Sequence, residues 1–151
     1  MANPEVQSAN ELWKQLLEGE ISLSALSSSQ IGALANFHGI TNVVGKKRYL
    51  QLVVLLVASQ SKLKAYEQKG QLIIIQVKGL SIEEVSFGRL IHQTQHSGSG
   101  LNLCLYEYCL GVTVPNSDRI LPIAEFNGSQ FKLCTHDPDI QKLIDYAYEK
   151  W

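Results

Sequence analysis

The apolar positions change period midway along the chain, from helical spacing before Gly70 to strand-like runs after it. Leu12, Trp13, Leu16 and Leu17 form a first helical stripe, opened by Ser8 with Glu11 three residues on, the form of a capping box, and closed by Gly19. A second stripe, Ile31, Leu34 and Phe37, follows the serines 27 to 29 and ends at Gly39, where a left-handed residue commonly stops a helix. Tyr49, Leu50, Leu52, Val53, Leu56 and Val57 predict a third helix over Lys46–Lys69, ending at Gly70, apolar nearly all round in its first half and so buried.

Beyond Gly70, Leu72 to Ile75 read as a central strand covered on both faces. Ser81 with Glu84 has the form of another capping box and predicts a helix through Val85, Leu90 and Ile91. After a connector at His96–Gly100, Leu101–Val114 reads as one long strand and Pro115–Asp118 as a turn. Arg119–Phe126 and Ser129–Thr135 form a hairpin about Asn127-Gly128, a pair suited to the positive φ angles of a type I′ turn. Asp137-Pro138 opens a last helix carrying Ile140, Leu143, Ile144 and Ala147. The expected fold is α+β: about three N-terminal helices, residues 1–70, then a β-α-β-β-β-α unit with a small, largely antiparallel sheet, residues 71–151, packed together as one domain.

A chain of 151 residues with 45% hydrophobic and 18% charged residues and a mean hydropathy of −0.02 is globular in composition. The most apolar run, Leu50–Ala58, is well short of the roughly twenty residues that cross a bilayer. Cys104, Cys109 and Cys134 are odd in number and follow no secretory leader, so reduced thiols in a soluble, intracellular protein are expected. With His136 they make a Cys3His set of the kind zinc accepts, but residues five apart on one strand point to opposite faces, and no metal or cofactor is assigned. No nucleophile stands with a base and an orienting acid, so the chain reads as non-enzymatic. Tyr106 and Tyr108 alternate on the long strand and are expected on one face, with Tyr146, Tyr148 and Trp151 on the last helix.

The net charge of −1 excludes a nucleic-acid reading from bulk charge alone, yet between Ile40 and Gly70 six cations, Lys46, Lys47, Arg48, Lys62, Lys64 and Lys69, face only Glu67. Three of them fall at the start of the third helix, where positive charge opposes the macrodipole and an external anion would relieve it. Within residues 28–56, Gly39-Ile40 followed by Gly45, Lys47 and Leu50 resembles the Gly-Leu, Gly-x-Lys-x-x-Leu pattern of SAP domains and the related LEM-type helix–extended loop–helix units, with a loop, Thr41–Val44, one residue longer. The resemblance implies that the second helix's N-terminal amides, with Lys46, Lys47 and Arg48, grip a phosphate backbone, and that such contacts position without reading sequence. The same residues also read as a plain helical hairpin with Gly39 as its cap.

The expected function is therefore a non-enzymatic, nucleic-acid-associated protein making nonspecific phosphate contacts through Lys46, Lys47, Arg48, Lys62 and Lys64 as a self-associating oligomer, with no membrane partner. The alternative is an assembly subunit that pairs with another chain through the apolar stretch Leu50–Val57 and binds no nucleic acid.

Overall fold

A computed structural model describes residues 8–61, 64–95, 100–126, 129–134, 138 and 140–141. Three helices, α1 (Ala9–Leu17), α2 (Ser28–Phe37) and α3 (Gly45–Gln60), with a short 3-10 turn at Leu23–Ala25, precede seven strands. These are β1 (Lys64–Gln68), β2 (Gln71–Lys78), β3 (Ser81–Gln95), β4 (Asn102–Tyr106), β5 (Cys109–Thr113), β6 (Arg119–Phe126) and β7 (Phe131–Leu133).

The first two helices begin where their serines place them. The Ser8 hydroxyl accepts from the Glu11 N–H at 3.2 Å. Ser27 and Gln30 form a reciprocal box, at 3.2 and 2.9 Å, that satisfies two helix-terminal donors. Gly39, at φ +73°, ends α2, and the Ile40 N–H turns back to the Ala35 carbonyl at 2.8 Å. At the other end of the helical layer the Gln60 side chain of α3 donates to the Leu16 carbonyl at 3.2 Å, closing α1.

Each strand pairs antiparallel with the next, and β6 returns to β1 through Ala65↔Ile120 and Tyr66↔Arg119, which closes β1–β6 into a six-stranded barrel. β7 adds to the far end of β6. Register shifts at Gln71/Ile73, Leu90/His92 and Leu110/Gly111 provide the local bends that closure of so small a ring requires. Alternation then sorts the strands. Ala65, Leu72, Ile74, Cys104, Tyr106, Cys109 and Ile120 cluster together inside, while Leu103, Leu110, Val112, Leu121 and Ile123 join the core formed with Leu12, Leu16, Leu34, Leu52 and Val54 of the helices.

This architecture corrects the expected β-α-β-β-β-α unit: among the described residues no helix lies between strands. The third helix stops at Gln60, because Lys69 (φ +54°) and Gly70 (φ +77°) make a two-residue turn that pairs Gln68 with Gln71 and sets Lys64–Gln68 in the barrel. The segment expected as a helix from Ser81 is β3, fifteen residues long. There the Ser81 hydroxyl donates to the Lys78 carbonyl at 2.9 Å across a turn instead of capping, and pairing of Val77 with Ile82 and Ile75 with Glu84 overrides the local box signal.

The single strand expected over Leu101–Val114 is two, since the N–H groups of Glu107 and Tyr108 donate to the carbonyls of Arg89 and Phe87, at 3.1 and 3.0 Å, and reverse the chain. The reversal turns both Cys104 and Cys109 inward rather than to opposite faces. It likewise separates Tyr106, fully buried in the barrel, from Tyr108, which is half exposed. Phe37, expected on the buried stripe, is 51% exposed.

The SAP-like helix–loop–helix architecture is not formed. Leu50, Leu52, Val53 and Val54 are buried, and α3 contributes to one core that continues through the outer faces of β4, β5 and β6, so the α2–α3 pair does not stand as a separate recognition unit. The hairpin of β6 with β7 is present, in the register Phe126↔Phe131, while its expected Asn127-Gly128 turn lies outside the described residues. So do His96–Ser99, Thr135–Asp137 and the residues of the last helix beyond Gln141, including Tyr146, Tyr148 and Trp151. No helix among the described residues is long and apolar enough to cross a membrane.

Candidate functional site

The N-terminus of α3 is chemically open. Its N-cap is Val44, which offers no side-chain acceptor, and no acidic residue occupies the first turn, so the helix starts without the usual anionic or hydroxyl partner. Three consecutive cations stand there instead. Lys46 and Lys47 are exposed; Arg48 is half-buried, and its Nε, shielded from solvent, has no hydrogen-bond partner among the described residues.

The helical twist deals the three side chains to two sides. Lys46 and Arg48 open on a cleft of about 340 Å³ beside Ser28, the first residue of α2. Lys47 opens on a second cleft, of about 410 Å³, between α3 and the barrel. Lys64 lies elsewhere, at the start of β1, in a third cleft of about 440 Å³ with Asp118 and Arg119. The second and third clefts meet at Ser117, in the turn between β5 and β6, so two cations far apart in sequence line adjoining depressions. Lys62 lies outside the described residues.

Arg119 was not legible as part of this group. It reaches Lys64 only through barrel closure, which pairs it with Tyr66.

The cleft beside Lys47 is built from five separate segments. Asn42 comes from the loop before α3, Gln51 from the helix one turn beyond Lys47, Gln95 from the end of β3, Asn102 from the start of β4, and Asn116 from the β5–β6 turn. The described lining contains these five carboxamides and one ammonium group but no carboxylate. Ile40, Val43, Leu101 and Val114 supply its apolar surface.

Gln51 is only 6% exposed. Its amide lies close to Gly100, at φ +73°, where a Cβ would stand 3.0 Å from Gln51 Nε2. Thr113 donates to the Asn102 carbonyl at 3.2 Å, and Gln95 to the Gly100 carbonyl at 3.3 Å, which fix the barrel side of the opening. The Asn42 and Asn102 carboxamides engage no other group among the described residues.

Neither thiol chemistry nor metal binding converges on this region. Cys104 and Cys109 lie in the barrel interior, where burial pushes both thiols up from their ordinary range, and neighbouring acidic groups add to the shift. No group of three or more His, Cys, Asp or Glu side chains among the described residues is arranged to hold a metal ion, and His136 is not among those residues. Close by, His38 packs edge-on against Trp13, ring centroids 4.2 Å apart, and burial holds its imidazole below the usual range.

A scan against family models finds no match to the chain, and searches of curated proteins and of solved structures find none.

Proposed function

We propose that the protein is a non-enzymatic nucleic-acid-associated protein that contacts the phosphate backbone nonspecifically across the N-terminus of α3. The observation that carries the reading is the fan of Lys46, Lys47 and Arg48 about an uncapped helix start, flanked by two clefts with no carboxylate in their described lining. A strand of phosphates laid over this ridge would meet cations on either side, and the junction at Ser117 would lead it towards Lys64 and Arg119. The five described cations, Lys46, Lys47, Arg48, Lys64 and Arg119, give a salt-sensitive, low-affinity interaction.

The test compares Lys46→Ala/Lys47→Ala/Arg48→Gln with a control, Lys14→Ala/Lys69→Ala/Lys78→Ala, that removes the same charge elsewhere. The first set should weaken oligonucleotide binding by about tenfold or more while the control stays within about threefold. Equal loss in both would reduce the interaction to bulk charge and end the proposal.

A second reading, as an assembly subunit, now rests on a different surface from the one the sequence singled out, because the apolar side chains of α3 are packed inside. At the tip of the β2–β3 hairpin Val77, Leu80 and Ile82 are 69%, 108% and 71% exposed, with Val77 and Ile82 paired across the strands. Sedimentation of the protein at high concentration tests it; a strictly monomeric species together with no partner lost on Leu80→Ser would count against this surface.

A further inference from the structure

We infer that the cleft between α3 and the barrel holds an unpaired nucleobase, so that the protein takes single-stranded nucleic acid in preference to duplex; the inference rests on the phosphate-contact reading. The cleft is ordered from rim to floor. Lys47, at the rim, is exposed, and Gln51, one turn further along α3 and about 6 Å away, is buried at the floor. A nucleotide has the same order when its backbone stays in solvent and its base points inward: charge outside, then a flat body with apolar faces and a hydrogen-bonding edge.

The chemistry of the lining matches the base and no simpler anion. A phosphate or sulfate site gathers several donors of one sign around oxygens. Here the described lining holds one cation, and apart from the Thr113 and Ser117 hydroxyls its polar side chains are carboxamides, each both donor and acceptor, the side chains that pair bidentately with base edges. Asn42 and Asn102 both line the cleft, one from the loop before α3 and one from the barrel; both are exposed, and their side chains have no hydrogen-bond partner among the described residues. Val43 and Leu101 offer the apolar surface that the faces of a base require, and a volume of about 410 Å³ lies within the range of small-ligand pockets. In a duplex the base edges are paired and stacked, so a walled cleft reached through an opening between two layers cannot engage them; single strands present splayed bases.

The experiment compares three labelled probes of equal length at low salt: a single-stranded oligonucleotide of mixed sequence, the same strand built from abasic residues, which keeps its number of phosphates, and its duplex, which carries twice as many. Single strand should bind about tenfold or more tightly than the abasic strand and more tightly than duplex. Asn42→Ala/Asn102→Ala, with an unchanged melting temperature, should bring the affinity for the base-containing strand down to that for the abasic one. Equal binding of the base-containing and abasic strands would overturn the base-binding cleft and leave the phosphate reading standing. Binding of none of the three would overturn both.

Discussion

The Asn116 side chain donates to the Gly39 carbonyl at 2.7 Å, and the same amide reaches the His38 carbonyl at 3.1 Å. A turn of the barrel thus supplies the C-terminal cap of α2 across 77 residues of sequence. Asn116 itself sits at φ +56°, a conformation that asparagine tolerates better than other non-glycine residues.

Replacing Asn116 removes the cap and, with a residue other than glycine, adds backbone strain. Asn116→Ala should cost about 1–2 kcal/mol in urea unfolding, and Asn116→Gly somewhat less because the positive φ is retained. Equal stability of wild type and Asn116→Ala would show that the link between the layers contributes nothing.

Inside the barrel, closure leaves no room at Gly111. A Cβ there would stand 2.5 Å from Ile120 Cγ2, on the strand that closes against β1. Gly111→Ala should destabilise by about 1–3 kcal/mol, and in an Ile120→Ala background the same change should cost much less. A double-mutant cycle on urea midpoints checks this; strict additivity would contradict the contact.

Burial holds the His38 imidazole below its ordinary 6.5, so the native state takes up its proton at lower pH than the unfolded chain. Between the lowered value and 6.5 the unfolded state binds more protons, and the His38 contribution is therefore present above about pH 6.5 and lost as pH falls through that window. The drop in urea midpoint between pH 7 and pH 5 should be smaller in His38→Gln than in wild type. Identical pH profiles would sink the assignment.

The thiols should divide by position. Cys104 and Cys109 are buried in the barrel and shifted upward, Cys109 the more strongly, whereas Cys134 is half-buried beyond β7. Under native conditions a thiol reagent at pH 8 should label Cys134 first, with Cys104 and Cys109 reacting only as fast as the barrel opens. Peptide mapping of the labelled protein measures this directly, and early labelling of Cys109 would contradict the closed interior.

What could be read from the sequence was what neighbouring residues decide. Ser8, Ser27 and Gly39 mark helix ends by local hydrogen bonding, and the bounds of β6, Arg119 and Phe126, follow from the turn-forming residue types that flank them in the sequence. The same local logic misread Ser81–Glu84, where a box-like pair lies in a strand held by β2 and β4, and it overlooked the Lys69-Gly70 turn inside a run of helix formers. Closure of the barrel depends on Tyr66 meeting Arg119, a pairing that no local pattern encodes. The basic run at Lys46–Arg48 was legible as a cluster; its division between two clefts, the approach of Lys64 through Ser117, and the carboxamides drawn from five segments were not, because each arises from packing of distant elements.

The most direct test of the central claim is the salt dependence of single-stranded oligonucleotide binding, followed by fluorescence anisotropy between about 25 and 200 mM salt. Three to five phosphate contacts predict a slope of log K against log salt of about −2 to −3.5, falling towards −1 in Lys46→Ala/Lys47→Ala/Arg48→Gln. Absence of binding at the lowest salt, or a slope unchanged in that variant, would contradict it.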